Sequence, residues 1–147
     1  MKPYFDFTFL PLLLMRSRQA EWAAALAEDF TVPWTVNYLH LAQIENLFAR
    51  LQLEGNPAQM RAGGSMAALW KARLAEGVFA IDNPPWDDAW RLAIGFHRDL
   101  VSPVPQPSHL LHLAAARVGG ASHYLSLHSP ARQFAQGLGF KLLPEKL

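Results

Sequence analysis

The stretch over residues 107–144, PSHLLHLAAARVGGASHYLSLHSPARQFAQGLGFKLLP, restricts the fold more than any other part of the chain. Leu110, Leu113, Ala114 and Arg117 recur at helical spacing, with Leu111 and Ala115 widening the apolar face. Gly119-Gly120 supplies the tolerance of positive φ that a helix stop commonly needs. Residues 124–127 then predict a short strand, Ser129 an N-cap and Pro130 the first position of a second helix. Gly137 and Gly139 close that helix before a last strand over 140–143. Helix, strand, helix and strand in so few residues imply parallel strands joined by helical crossovers. His109 falls where the first helix begins and His128 where the strand after it ends. Ligands in open α/β sheets gather at the carboxyl ends of strands, which makes His128 a candidate functional residue.

A chain of 147 residues, 51% hydrophobic and 17% charged, can bury a real core, and it reads as one domain over 1–147. The formal net charge of +1 gives no electrostatic case for nucleic acid by itself. With no cysteine, disulfides, thiolate metal sites and a cysteine nucleophile are excluded. The apolar run over 7–15 is too short to span a bilayer and lacks a small-residue cleavage site, so a soluble, cytoplasmic protein with no membrane partner is expected.

The aromatic run PYFDFT predicts a first strand over 3–8, interrupted by Asp6. A carboxylate in such a strand is paired, metal-bound or at the strand's end, because burying it bare is expensive. Helices are expected over 9–15 and 19–29, with Trp22, Ala25 and Leu26 on one side of the second and Trp22 in the core. A brief strand over 31–34 follows, and Thr35 is read as the cap of a helix to about residue 53. Leu41, Ile44, Leu47, Phe48 and Leu51 form its apolar face, with Glu45 beside Ile44 and within reach of Arg50 or Gln43. Residues 58–76 predict a helix bent at Gly63-Gly64, with Met60, Leu69, Trp70 and Leu74 toward the core. A strand over 78–81 and a helix over about 83–100 come next, with Trp86, Trp90, Ala93 and Ile94 on one stripe. The connector VSPVPQP is too rich in proline for helix or strand.

Asp6 with Thr8 after it, Glu45 inside a helix, the run HLLHLAAARVGGASHYLSLH and the tail QGLGFKLLP together resemble a PIN domain. The likeness spans nearly the whole chain and is strongest over 109–144. It implies an α/β fold: a three-layer α/β/α sandwich around a short, mostly parallel sheet of four to five strands. It relates the chain to small metal-dependent ribonucleases, among them the toxins of bacterial toxin–antitoxin pairs. Such sites use a ring of carboxylates to hold divalent ions that activate a water against a phosphodiester. Carried onto this chain, the pattern places its first two acids at Asp6 and Glu45 and its last two at His109 and His128, with Thr8 and His112 as orienting neighbours. Histidine in two of four places lowers the formal site charge from about −4 to −2 and favours Mn, Zn, Ni or Fe over Mg.

Three readings are therefore open. The metal site is lost and the fold serves as a protein- or RNA-interaction module; or Asp6, Glu45, His109 and His128 hold a transition metal and support hydrolysis; or the histidines do acid–base work without metal. The resemblance further implies RNA or an antitoxin-like protein as partner, and a homodimer. Arg16 and Arg18, with Arg50, Arg117 and Arg132, are the candidate phosphate contacts.

Overall fold

A computed structural model of the chain describes residues 2–30 and 33–145. It is a mixed α/β protein of six α-helices and five three-residue strands, all pairing parallel among the described residues. The strands form two hydrogen-bonded sheets, one of three strands and one of two, where the sequence predicts a single sheet. The chain divides into two compact units: residues 1–9 with 83–147, and residues 10–82.

In the first unit, β1 (Pro3–Phe5), β4 (His123–Leu125) and β5 (Lys141–Leu143) lie side by side with β4 central. Phe5 is level with Leu125, and Leu125 with Leu143, so all three strands end together. The expected strands over 3–8 and 124–127 are shorter than predicted because Asp6 and Ser126 turn their side chains to polar work at those ends. Tyr4 and Tyr124, paired in register, stack with centroids 6.0 Å apart, and Tyr124 also meets Phe140. Helix α5 (Pro107–Val118) is buried from Leu110 to Ala116 and packs against α4 (Trp86–Gly95). Gly119 is the C-cap of α5, and Gly120 follows at φ +71°. Helix α6 (Ser129–Gly137) makes the crossover from β4 to β5. Its cap is His128, one residue earlier than the expected Ser129, because the imidazole accepts the free N–H of Ala131.

Helix α4 divides the expected stripe between core and solvent. It buries Ala89 and Ala93 and leaves Trp90 52% and Ile94 67% exposed. The helix passes into a 3₁₀ turn at Phe96–Arg98 rather than continuing to residue 100.

The second unit pairs β2 (Trp34–Val36) with β3 (Phe79–Ile81). Thr35 lies inside β2, and Thr31 and Val32, part of the expected strand, lie outside the described residues. Asn37 caps α2 (Tyr38–Glu54) instead, in a reciprocal box with the buried His40. The expected helix over 9–15 is a 3₁₀ helix, Leu10–Leu14. Helix α1 (Arg18–Glu28), capped by Ser17, buries Ala20 and Ala23 and leaves Trp22 39% exposed, so Trp22 is not core. Among the described residues, no helix is long and apolar enough to cross a membrane.

Helix α3 (Pro57–Ala75) runs through Gly63-Gly64 as one helix. Gly63 is there for proximity, not for a bend: a Cβ on it would come 2.9 Å from Cβ of Leu51 on α2. Gly64 has open space around its Cβ position. Gly63→Ala should therefore destabilise the protein by about 1–3 kcal/mol through overpacking. Gly64→Ala should stabilise it by about 0.5–1 kcal/mol through helix propensity. Denaturant unfolding of the two single variants checks both signs.

Candidate functional site

The carboxyl ends of β1 and β4 carry the polar cluster of the first unit. Asp6 is 0% exposed. Its backbone N–H extends the ladder to Leu125 O at 3.0 Å, which fixes its side chain beside β4. Oδ1 accepts Thr8 N–H at 2.9 Å and the Thr8 hydroxyl at 2.5 Å, a turn closed by the aspartate side chain. Oδ2 accepts the Ser126 hydroxyl at 2.6 Å and, at 3.5 Å, that of Tyr124. His109 Nδ1 stands 3.3 Å from the same oxygen, within ion-pair reach. It lacks hydrogen-bond alignment, and the buried nitrogen has no hydrogen-bond partner among the described residues.

The two hydroxyls act in both directions. Thr8 Oγ1 donates to Asp6 and accepts Leu127 N–H at 2.8 Å, while Ser126 Oγ donates to Asp6 and accepts His128 N–H at 3.0 Å. Burial alone pushes the Asp6 pKa up, but contact with His109, the charge of His112 and the Ser126 and Thr8 hydroxyls outweigh it, and the net direction is down. Tyr124 moves the other way: burial first, and then the Asp6 charge, hold its hydroxyl well above the ordinary tyrosine range, so it remains a neutral donor.

The histidines at the mouth of this cluster are stacked. The rings of His109 and His128 lie 3.9 Å apart, 13° from parallel. His128 Nδ1 accepts Ala131 N–H at 3.3 Å, so the neutral ring carries its proton on Nε2. Burial lowers the His128 pKa and repulsion from His109 adds to this, against an opposing pull from Asp6. His112 lies deeper, sharing a 2.8 Å hydrogen bond between Nδ1 and Tyr4 OH.

Glu45 is exposed on α2, in the second unit, and Arg50 pairs with Glu54 at 3.7 Å, not with Glu45. Arg16 and Arg18 are exposed on either side of the Ser17 cap, along a shallow depression of about 570 Å³. Arg132, read from sequence as a phosphate contact, is buried. Its guanidinium donates to Ser126 O at 2.9 Å, Leu143 O at 3.1 Å and Pro144 O, tying off the ends of β4 and β5. Burial lowers its pKa, and Asp6 opposes the shift. Sequence reasoning missed Ser126 and Tyr124 as partners of Asp6. Their signal was the alternation Tyr124-x-Ser126, which puts both on one face of the strand.

These side chains, as arranged, do not suit a divalent cation. The Asp6 carboxylate already accepts four hydrogen bonds, from the Thr8 N–H and hydroxyl, Ser126 and Tyr124, as many as its lone pairs offer. An imidazole ligates through a lone pair in its ring plane, and two nearly parallel rings 3.9 Å apart cannot both aim such a pair at one ion. The Nδ1 lone pair of His128 is also occupied by its helix. Among the described residues, no group of three or more histidines and carboxylates is placed to hold a metal. The chain matches no model of a known protein family, and no curated protein matches it.

A buried carboxylate with a depressed pKa stabilises the fold above its ordinary value of 3.8. The unfolded chain takes the proton first as pH falls, so stability drops below that value toward the lower folded pKa. Asp6→Asn should cost about 1–3 kcal/mol at neutral pH by leaving donors unmatched, and its deficit against wild type should shrink below pH 3.8. Urea unfolding of both proteins across pH 3–7 measures the difference.

Proposed function

We propose that the chain is a PIN-like domain, related in fold to metal-dependent ribonucleases and to the three-layer plan of that family, that has exchanged metal-dependent cleavage for partner binding. The observation that carries this reading is the state of Asp6. An acid that holds a metal must have a lone pair free for it, whereas this one, fully buried, already accepts hydrogen bonds from Thr8, Ser126 and Tyr124. Its work is to join strand ends. The stacked histidines support the same reading, since their in-plane lone pairs do not converge.

On this view the partner is a protein of the antitoxin type, held by the surface of the domain and not by its polar centre. The modest net charge of +1 and the burial of Arg132 weigh against a dedicated RNA-binding face.

The test is a metal titration followed by RNA cleavage. Wild type should show no rise in melting temperature with Mn²⁺, Ni²⁺, Zn²⁺ or Mg²⁺, and no RNA cleavage that any of them stimulates. Cleavage that requires a metal, and that vanishes in a folded Asp6→Asn or His109→Ala/His128→Ala variant, would overturn the reading in favour of a histidine–carboxylate hydrolase.

A further inference from the structure

Within the first unit, the proline-rich connector and α6 leave a cavity of about 370 Å³. Val101, Pro103 and Pro105 line it from the connector, and Phe134, Gly137 and Leu138 from α6 and its C-cap. Proline at 103, 105 and 107 fixes φ at every second residue of the connector, so this wall is stiff before anything binds. Phe134 is half-buried, and its ring meets the buried Phe96 edge to face with centroids 5.1 Å apart, which sets its position too. A small hollow with apolar walls and few polar groups has the make-up of a small-molecule site.

Gly137 helps to keep the cavity open. It is the last residue of α6, and no positive φ demands a glycine there. A Cβ on it would meet no atom within 4 Å. Glycine weakens a helix relative to alanine, so α6 gives up stability at a position where a side chain would have room in the cavity wall.

The polar groups decide what such a cavity takes. Asp99 and Gln133 line it, and no lysine, arginine or histidine does among the described residues. Asp99 follows the 3₁₀ turn, with its backbone N–H given to Phe96 O at 3.0 Å and its side chain exposed. That carboxylate forms no ion pair among the described residues. An apolar hollow with one open carboxylate is complementary to a compact organic cation. The apolar body fills the hollow, the ammonium reaches Asp99, and the Gln133 carbonyl can accept a second N–H.

We propose that this cavity is a binding site for small organic amines, with the apolar body against Phe134, Leu138 and the connector prolines and the ammonium at Asp99. Asp6, Thr8, Ser126, His109 and His128 do not line the cavity, so the site stands or falls independently of how the Asp6 centre is read.

Nitrogen-15 NMR of the full chain, titrated with phenethylamine, tests it. Amide shifts gathered over residues 99–105 and 130–138 should saturate in the millimolar range, as suits a small ligand beside an exposed carboxylate. Phenethyl alcohol and phenylacetate, of the same shape without the positive charge, should bind more weakly. Asp99→Asn, at an exposed position, should weaken the amine by about two- to fivefold and leave the alcohol unchanged. Gly137→Leu should fill the cavity and remove binding, with the melting temperature no lower than that of wild type. No shifts at these residues at the highest amine concentration would overturn the proposal. So would phenylacetate binding as well as the amine, an amine affinity indifferent to Asp99→Asn, or a folded Gly137→Leu variant that binds as wild type does.

Discussion

A carboxylate shut away from water must be answered by the protein, and in the first unit the answer to Asp6 is what joins the strand ends. Taking such a charge out of water costs several kcal/mol even after relaxation. Hydrogen bonds to a charged group return roughly 1.5–3 kcal/mol each. Thr8 and Ser126 each give Asp6 a hydroxyl proton and take a backbone N–H from the turn after β4, so the carboxylate reaches Leu127 and His128 through them. The end of β1, the end of β4 and the start of α6 are therefore set by one group. Arg132 repeats the device with opposite sign, its guanidinium gathering the carbonyls at the ends of β4 and β5.

The histidines are a consequence of the same arrangement. Ser126 fixes the backbone N–H of His128, and the cap to Ala131 fixes its ring. His109, entering on the first turn of α5, approaches Asp6 while lying nearly flat against that ring. The downward shift at His128 comes first from its burial and then from repulsion by His109. What resembles an altered metal ring in the sequence becomes, in space, a hydrogen-bonded joint under a pair of stacked rings.

Much of this was legible in residue order. The caps, glycines and apolar spacing over 107–144 give α5, β4, α6 and β5 nearly to the residue, because those signals act within one turn of chain. The meeting of Asp6, His109 and His128 was legible only through resemblance. The parts that sequence missed depend on which residues are small. In α1 and α4 the eye follows tryptophan, but the helices turn alanine inward, at Ala20, Ala23 and Ala89 beside the expected Ala93, because a small side chain allows closer approach. Gly63 is the same lesson at its limit, where the backbone of α3 admits Leu51. The roles of Ser126 and Arg132 follow from the register of β1, β4 and β5, a long-range fact that no local pattern carries. Parallel pairing was expected, but its division into sheets of three and two strands was not.

The claim on which the account turns is that the Asp6 carboxylate is ionised and fully engaged inside the protein. Carbon-13 NMR of the side-chain carboxyl, followed through an acid titration, observes it directly. A midpoint below 3.8, with a carboxyl resonance unmoved by added Zn²⁺ or Mn²⁺ at neutral pH, is the predicted result. A midpoint above that value, or a resonance that shifts or broadens selectively when metal is added, would mean that Asp6 has a lone pair to give and would contradict the account.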